Sequence, residues 1–421
     1  MSFQQGLSGL GAASQNLDTI GNNVANSSTY GYKEARAQFG DLFASSLATG
    51  LGTQIGIGTK LEAVQQQYTQ GNITTTGNPM DVAINGNGFF RLSNGGSISY
   101  TRNGQFSLDK NGFIVTDTGA NLTGYPASAA GVVTPTTPVP LQISTADLTP
   151  NATTKASMSL NLDSTMKLPT TTPFSATDPT TYNSSTAMSI YDSQGNAHTL
   201  TTYFVRTGNG ATPPVATNTW TAYAAIDGNL VTSGAPATAV TASLPFSASG
   251  LLSADVTMNL PITLANGATI NGGNALPVTF PMASMSQYGV AFSVNQLTQD
   301  GYTTGQLSGY TIGNDGTILG RYSNGQSRAL GQIATANFMN PQGLTDLGNN
   351  QLGESSTSGQ PTTGAPGAGV LGSLQSGALE DSNVDLTSEL VSMITAQRDY
   401  QANAQTIKTE DQVMQTLVNL R

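Results

Sequence analysis

The feature that most constrains this chain is the periodicity of residues 383–421. Leu386, Leu390, Met393, Gln397, Tyr400, Ala404, Ile407, Asp411, Met414 and Val418 follow one another in alternating steps of four and three. That spacing is the seam of a coiled-coil helix. Ile394, Val413 and Leu417 widen the apolar side. Asp385 is placed to cap the helix, and Glu389 sets negative charge near the positive end of its dipole. No proline follows Pro366, so nothing forces a break, and a helix of about 34 residues would run roughly 50 Å. Such a stripe needs a partner. The other stretch with the same spacing is the N-terminus: Phe3, Leu7, Leu10, Ser14, Leu17, Gly21 and Val24, with Ala13 and Ile20 beside them. Gly6, Gly9, Gly11 and Gly21 each cost this helix about 1 kcal/mol against alanine, so it is weak alone. Periodicity allows the two helices to pair within one ordinary globular domain.

The chain has 421 residues, enough for about three domains with real cores. It contains no cysteine, which removes disulfides, thiolate metal sites and cysteine nucleophiles. Only 9% of residues are charged, with 14 basic against 24 acidic. That balance argues against a nucleic-acid surface or an anionic-membrane anchor. No apolar run approaches the length of a membrane-spanning helix. The N-terminus has no basic residue before Lys33 and no continuous apolar core, so no cleaved secretory signal is expected.

Residues 21–33 are crowded with glycine, asparagine, serine and threonine, which ends the first helix in a turn-rich connector. The spacing next predicts a short helix over Phe39–Leu47, then extended chain. From Gly71 strands alternate with tight turns, and Asn85-Gly86-Asn87-Gly88 is read as a hairpin turn. Further turn pairs stand at Asn94-Gly95, Asn103-Gly104 and Asn111-Gly112, the strongest short-range hairpin signals. Residues 148–283 are almost uncharged yet rich in strand signals, including Ala187–Tyr191, Thr201–Val205 and Trp220–Ile226. The last alternates apolar and polar residues and is expected to be half-buried. Met158 is taken as lying near the surface of this block. After Ser284 short strands and tight turns resume, through Asp315-Gly316 and Asn324-Gly325. Residues 355–379, rich in serine, threonine, glycine and proline, read as a linker. The expected fold is mixed and mainly β: terminal α-helices form a coiled-coil-like inner domain (1–30 with 383–421). Inside it lie a connector (31–70 with 355–382), a split β domain (71–147 with 284–354) and an inserted outer β domain (148–283).

Leu17-Asp18, Ile20-Gly21-Asn22-Asn23-Val24-Ala25-Asn26, Thr29 and Gly31-Tyr32-Lys33 resemble the signature of bacterial flagellar rod and hook proteins. The run 294–303, Asp315–Ile318 and Arg321–Gly325 resembles the hook proteins in particular, as do 377–387, 393–403 and 407–421. Tyr32 stands where phenylalanine is commoner. The resemblance covers 1–147 and 284–421; the outer block matches in size and character. It implies a structural, non-enzymatic subunit without cofactors, exported by the flagellar type III apparatus without cleavage. Copies would polymerise into the curved extracellular tube of the flagellum, meeting a distal rod protein, a hook cap and a hook–filament junction protein. Subunit contacts would then fall on the helix seams, and the asparagines on backbone groups across subunits. The alternatives are a distal rod protein, another flagellar axial protein or a secreted β-rich adhesin.

An enzyme is the other class to weigh. The one histidine, His198, has no metal-ligand spacing around it and reads as a satisfied polar residue. Glu410-Asp411 sit on a helix face where solvation or register is the usual role. The Asn85–Gly88 glycines lack the lysine and following helix of a phosphate loop. No catalytic constellation emerges.

Overall fold

The structure, a computed structural model, describes residues 2–43, 56–208, 218–234, 236–264 and 266–419; for 2, 43 and 417–419 only the backbone is described. Two long helices lie at the ends, α1 (Ser2–Ala25) and α2 (Leu386–Asn419). Asp385 caps α2 through its side chain, which accepts from the amides of Thr387 (2.9 Å) and Ser388 (3.3 Å). Between the helices the chain is almost entirely strand and turn. It forms two compact units, 1–145 with 308–321 and 327–421, and 146–307 with 322–326.

In the first unit, Ala35–Phe43 pairs antiparallel with Gly56–Gln66. This corrects the helix expected over Phe39–Leu47: the part of it that is described is strand, and residues 44–47 lie outside the described residues. Phe39, Leu42 and Phe43 are bulky and find ladder partners across the hairpin, which overrides a weak helical pattern. The main sheet runs in the order 307–312, 317–322, 327–333, 121–126, 89–94, 97–101, 351–353, 345–348. Asn94 pairs with Ser97 across Gly95 and Gly96, both at positive φ, the backbone that a tight hairpin turn requires. Its core stacks Phe338 edge-on against Tyr100 (4.8 Å) and Phe89 (6.1 Å).

Three further expectations change here. Asn103-Gly104 closes no hairpin, because Ser97–Thr101 pairs with Phe89–Asn94 and Gln351–Gly353, while Ser107–Leu108 pairs with Ile114–Val115. Asn85–Gly88 does not close a hairpin, because Val82–Asn85 pairs with Ser373–Ser376 whereas Phe89–Asn94 joins the main sheet. The stretch expected as a linker, 355–379, supplies strands: Thr362–Gly364 pairs with Thr335–Asn337, and Ser373–Ser376 completes the ladder just described. At its end, Ala378–Glu380 pairs with Ile73–Thr75. Small polar residues read as linker in isolation, but strands elsewhere in the chain, as distant as Ile73–Thr75 and Val82–Asn85, satisfy their backbones.

The second unit is built on two sheets. In one, Ala156–Asp163 pairs with Leu276–Phe280, Ser286–Tyr288 and Ser293–Gln299. The unit therefore continues past residue 283, because these last two strands need Ala156–Asp163 as their partner. In the other, Ser184–Tyr191, Ala197–Arg206, Asn218–Ile226 and Thr241–Phe246 form an antiparallel meander. Trp220, Ala222, Ala224 and Ile226 face inward, the alternation expected of that strand. Phe204 and Phe280 meet edge-on at 6.1 Å across the two sheets. Met158 is fully buried in this core and is not a surface residue.

Candidate assembly site

Within the first unit α1 packs along α2. Its closest approaches fall at small residues. Gly6, Ala13, Ile20 and Asn23 are buried on α1, and Glu389 and Ala396 on α2. A Cβ at Gly6 would stand 3.1 Å from Ile407 Cγ1, and one at Gly9 2.7 Å from Asn403 Oδ1. Those two glycines are there for close approach. Gly11 and Gly21 meet nothing within 4 Å, so the contact does not explain them.

The in-chain contact therefore runs one position off the expected seams. Leu10, Leu17 and Val24 are half-buried, as are Met393, Ala404 and Ile407, while Phe3 and Leu7 are largely exposed. Gln397 and Tyr400 are exposed too, and the side chain of Val418 lies outside the described residues. Leu386, Leu390, Val391, Ile394, Val413 and Met414 are each 45–59% exposed. Small residues let the helix axes come close, and the bulky stripe is left on the flank.

At the end of α1 the motif folds back on itself. Asn23 donates from Nδ2 to the Ala35 carbonyl (2.8 Å); its Oδ1 accepts from the Ala35 amide (2.9 Å) and the Tyr32 hydroxyl (3.1 Å). Asn23 is thus satisfied within the chain rather than across subunits, and the tyrosine hydroxyl has a use that phenylalanine would lack. Asn26 Nδ2 donates to Asn22 Oδ1 (2.8 Å), and the Thr29 hydroxyl donates to Asn26 Oδ1 (3.2 Å); Ala25 is exposed. Gly31, at φ +71, donates its amide to the Glu380 carbonyl at 2.8 Å, and a Cβ there would lie 2.6 Å from the Asn103 nitrogen. Only glycine fits both demands.

Lys33 leads into a buried ionic node. Its Nζ lies 2.7 Å from Glu380 Oε1 and donates to the Thr69 carbonyl at 2.7 Å. Arg102 binds the other carboxylate oxygen at 3.0 Å and donates to the carbonyls of Gly86 (2.7 Å) and Ile84 (3.3 Å). The three side chains are 3%, 0% and 5% exposed for Lys33, Glu380 and Arg102. Burial pulls the pKa of both Lys33 and Arg102 down, and the Glu380 carboxylate opposes it. Nearby, Asn383 bonds the Gln67 carbonyl (2.8 Å) and the Glu34 amide (2.7 Å). The two chain ends are thereby tied together where both helices begin to leave the β structure. Sequence reasoning misses Arg102 and the roles of Glu380 and Asn383. Lys33 is singled out only through the motif.

Burial pushes up the pKa of the Glu389 carboxyl, and the nearby Glu34 adds to the effect. His198 lies between Asp192 and Asp227. Asp411 accepts a bond from Gln415 at 3.0 Å. Among the described residues no group of three or more His, Cys, Asp or Glu side chains has metal-holding geometry.

Paired terminal helices, a motif node joining the chain ends and nested β structure together define a flagellar axial protein of the rod-and-hook class. Residues 3–33 match the family described as flagella basal body rod protein, and 375–420 the flagellar basal body rod FlgEFG protein C-terminal family. Residues 83–157 match the flagellar hook protein FlgE/F/G D1 domain, and 161–302 the flagellar basal body protein FlaE D2 domain. The chain belongs to the flagellar hook protein family and is a structural component of the hook. It is 46% identical to the flagellar hook protein FlgE of Salmonella typhimurium over the full length of both chains. To that of Borreliella burgdorferi it is 33% identical, covering 100% of this chain and 99% of the other. A solved structure of Helicobacter pylori FlgE2 is similar in fold, with a TM-score of 0.52, 16% identity and coverage of 72% and 99%.

Proposed function

We propose that many copies of this chain polymerise into the curved tube of the hook, a universal joint that passes torque from rod to filament. The observation that carries this is the apolar surface of α2, half exposed at Leu386, Leu390, Val391, Ile394, Val413 and Met414 although α1 is already docked. Water-exposed apolar area on that scale is a contact surface, and at about 25 cal/mol per Å² its burial between copies supplies the driving force. Phe3 and Leu7 extend it onto α1. At the ends of such a tube we infer contacts with a distal rod protein, a hook cap and a hook–filament junction protein, and export by the flagellar type III apparatus without a cleaved signal. The sparsely charged second unit suits sliding between copies as the tube bends, since it offers few charges for ion pairs that would fix one register.

The test replaces Leu390 and Ile394 by aspartate. Both are exposed in the single chain, so helical ellipticity of the dilute protein is expected to stay as it is, while salt-induced tubes vanish in electron micrographs. Tubes of ordinary length from the double variant would refute the assignment.

A further inference from the structure

His198 sits where a neutral ring cannot satisfy both of its neighbours. Its Nδ1 lies 2.7 Å from Asp227 Oδ2 and its Nε2 3.3 Å from Asp192 Oδ2. A neutral imidazole has one N–H and one lone pair, so one of the two carboxylates would then face a lone pair. Only the imidazolium donates to both.

The two carboxylates are not equivalent. Asp192 is fully buried and also accepts from the amides of Gln194 (2.9 Å) and Asn196 (2.8 Å) and from Asn196 Nδ2 (3.0 Å). Asn266 Nδ2 reaches it at 3.4 Å. These bonds hold it ionised, well below the usual carboxylate range. Asp227 is half exposed and stands at φ +50, a left-handed backbone that costs a non-glycine residue free energy. Besides His198, it accepts from the Thr199 amide at 2.9 Å. The segment that follows Asp227 lines a cleft of about 510 Å³ through Leu230, Val231 and Thr232, together with Pro261, Ile262 and Leu264. Asp192 and Asp227 are the charged groups that act on His198.

We propose that His198, Asp192 and Asp227 form a pH-operated clasp on the second unit. The imidazolium pins the 227–232 wall of the cleft, and its deprotonation frees that wall. On losing a proton the ring keeps Nε2–H on the buried Asp192, which cannot turn to water. Asp227, strained and half exposed, turns outward, and the Gly228 turn loosens with it. The direction of the His198 pKa, raised by its two carboxylate partners against the opposing effect of burial, agrees with this geometry. A raised histidine value means that the clasp is complete below the unfolded value of about 6.5 and is lost as pH rises through the folded one.

Because the chain has a single histidine, its imidazole carbon gives one unobscured titration by nuclear magnetic resonance on the full-length protein. The expected midpoint lies above about 6.5 and falls in Asp227→Asn. Across the same pH range, amides 228–232, corrected for intrinsic rates, should exchange about tenfold faster, the factor for losing one charge-assisted hydrogen bond. In Asp227→Asn they should exchange fast at every pH. A midpoint at or below 6.5, or protection of 228–232 that ignores the histidine titration, overturns the clasp.

Discussion

Replacing Glu380 by glutamine probes the node where the chain ends meet. The carboxylate faces two cations, at 2.7 and 3.0 Å, and all three side chains are at most 5% exposed. With glutamine in place, Lys33 and Arg102 remain buried with no counter-charge, and breaking a buried pair in this way typically costs 3–5 kcal/mol, here taken as about 4. Lys33→Met should cost less, because it removes one cation from a node of two and leaves Arg102 and Glu380 as a neutral pair. An exposed control is available in Lys60 and Glu62, 3.9 Å apart and both more than half exposed, where Lys60→Met should change stability by under about 1 kcal/mol. Urea unfolding separates the two units spectroscopically. The single tryptophan, Trp220, lies in the core of the second unit, whereas both long helices belong to the first. Glu380→Gln is expected to shift the helical ellipticity transition to lower urea and leave the Trp220 fluorescence transition in place. A loss below about 1 kcal/mol, within the range of an exposed pair, would refute the reasoning. So would an equal shift of both transitions.

The glycines of α1 should separate by position. Gly6→Val drives a side chain toward Ile407 and should lower helical ellipticity and raise limited proteolysis of both termini. Gly11→Ala, with nothing within 4 Å, should stabilise the monomer by up to about 1 kcal/mol. Glu389 should make the helix junction pH-dependent: a carboxyl raised by burial and by Glu34 stabilises the fold when protonated, and that contribution is lost as pH rises from about 4.3 through the folded value. One of its carboxylate oxygens is buried without a partner. Glu389→Gln should therefore flatten this acid-side slope and raise the unfolding free energy from neutral-pH urea titration by about 1 kcal/mol; an unchanged slope would count against it.

What the sequence made legible was local in origin. The four–three spacing fixes α2, and Asn94-Gly95, Asn111-Gly112 and Asn324-Gly325 each close a turn with chemistry carried by adjacent residues. The turn at Asn349-Asn350 escaped notice because both residues adopt positive φ without glycine. What stayed hidden depends on distant partners. Lys33 and Glu380 lie 347 positions apart, and Arg102 and Glu380 278, so no window contains the node. The seams were displaced for a related reason: periodicity identifies the apolar side of a helix, but the smallest residues set where two helices touch. Gly6, Gly9, Ala13 and Ala396 take the intramolecular contact and leave Leu386, Leu390 and Ile394 free. A chain that must hold its own ends together and still present a face to its neighbours needs two stripes on one helix. The sequence ran both into one seam, and the packing of α1 separates them.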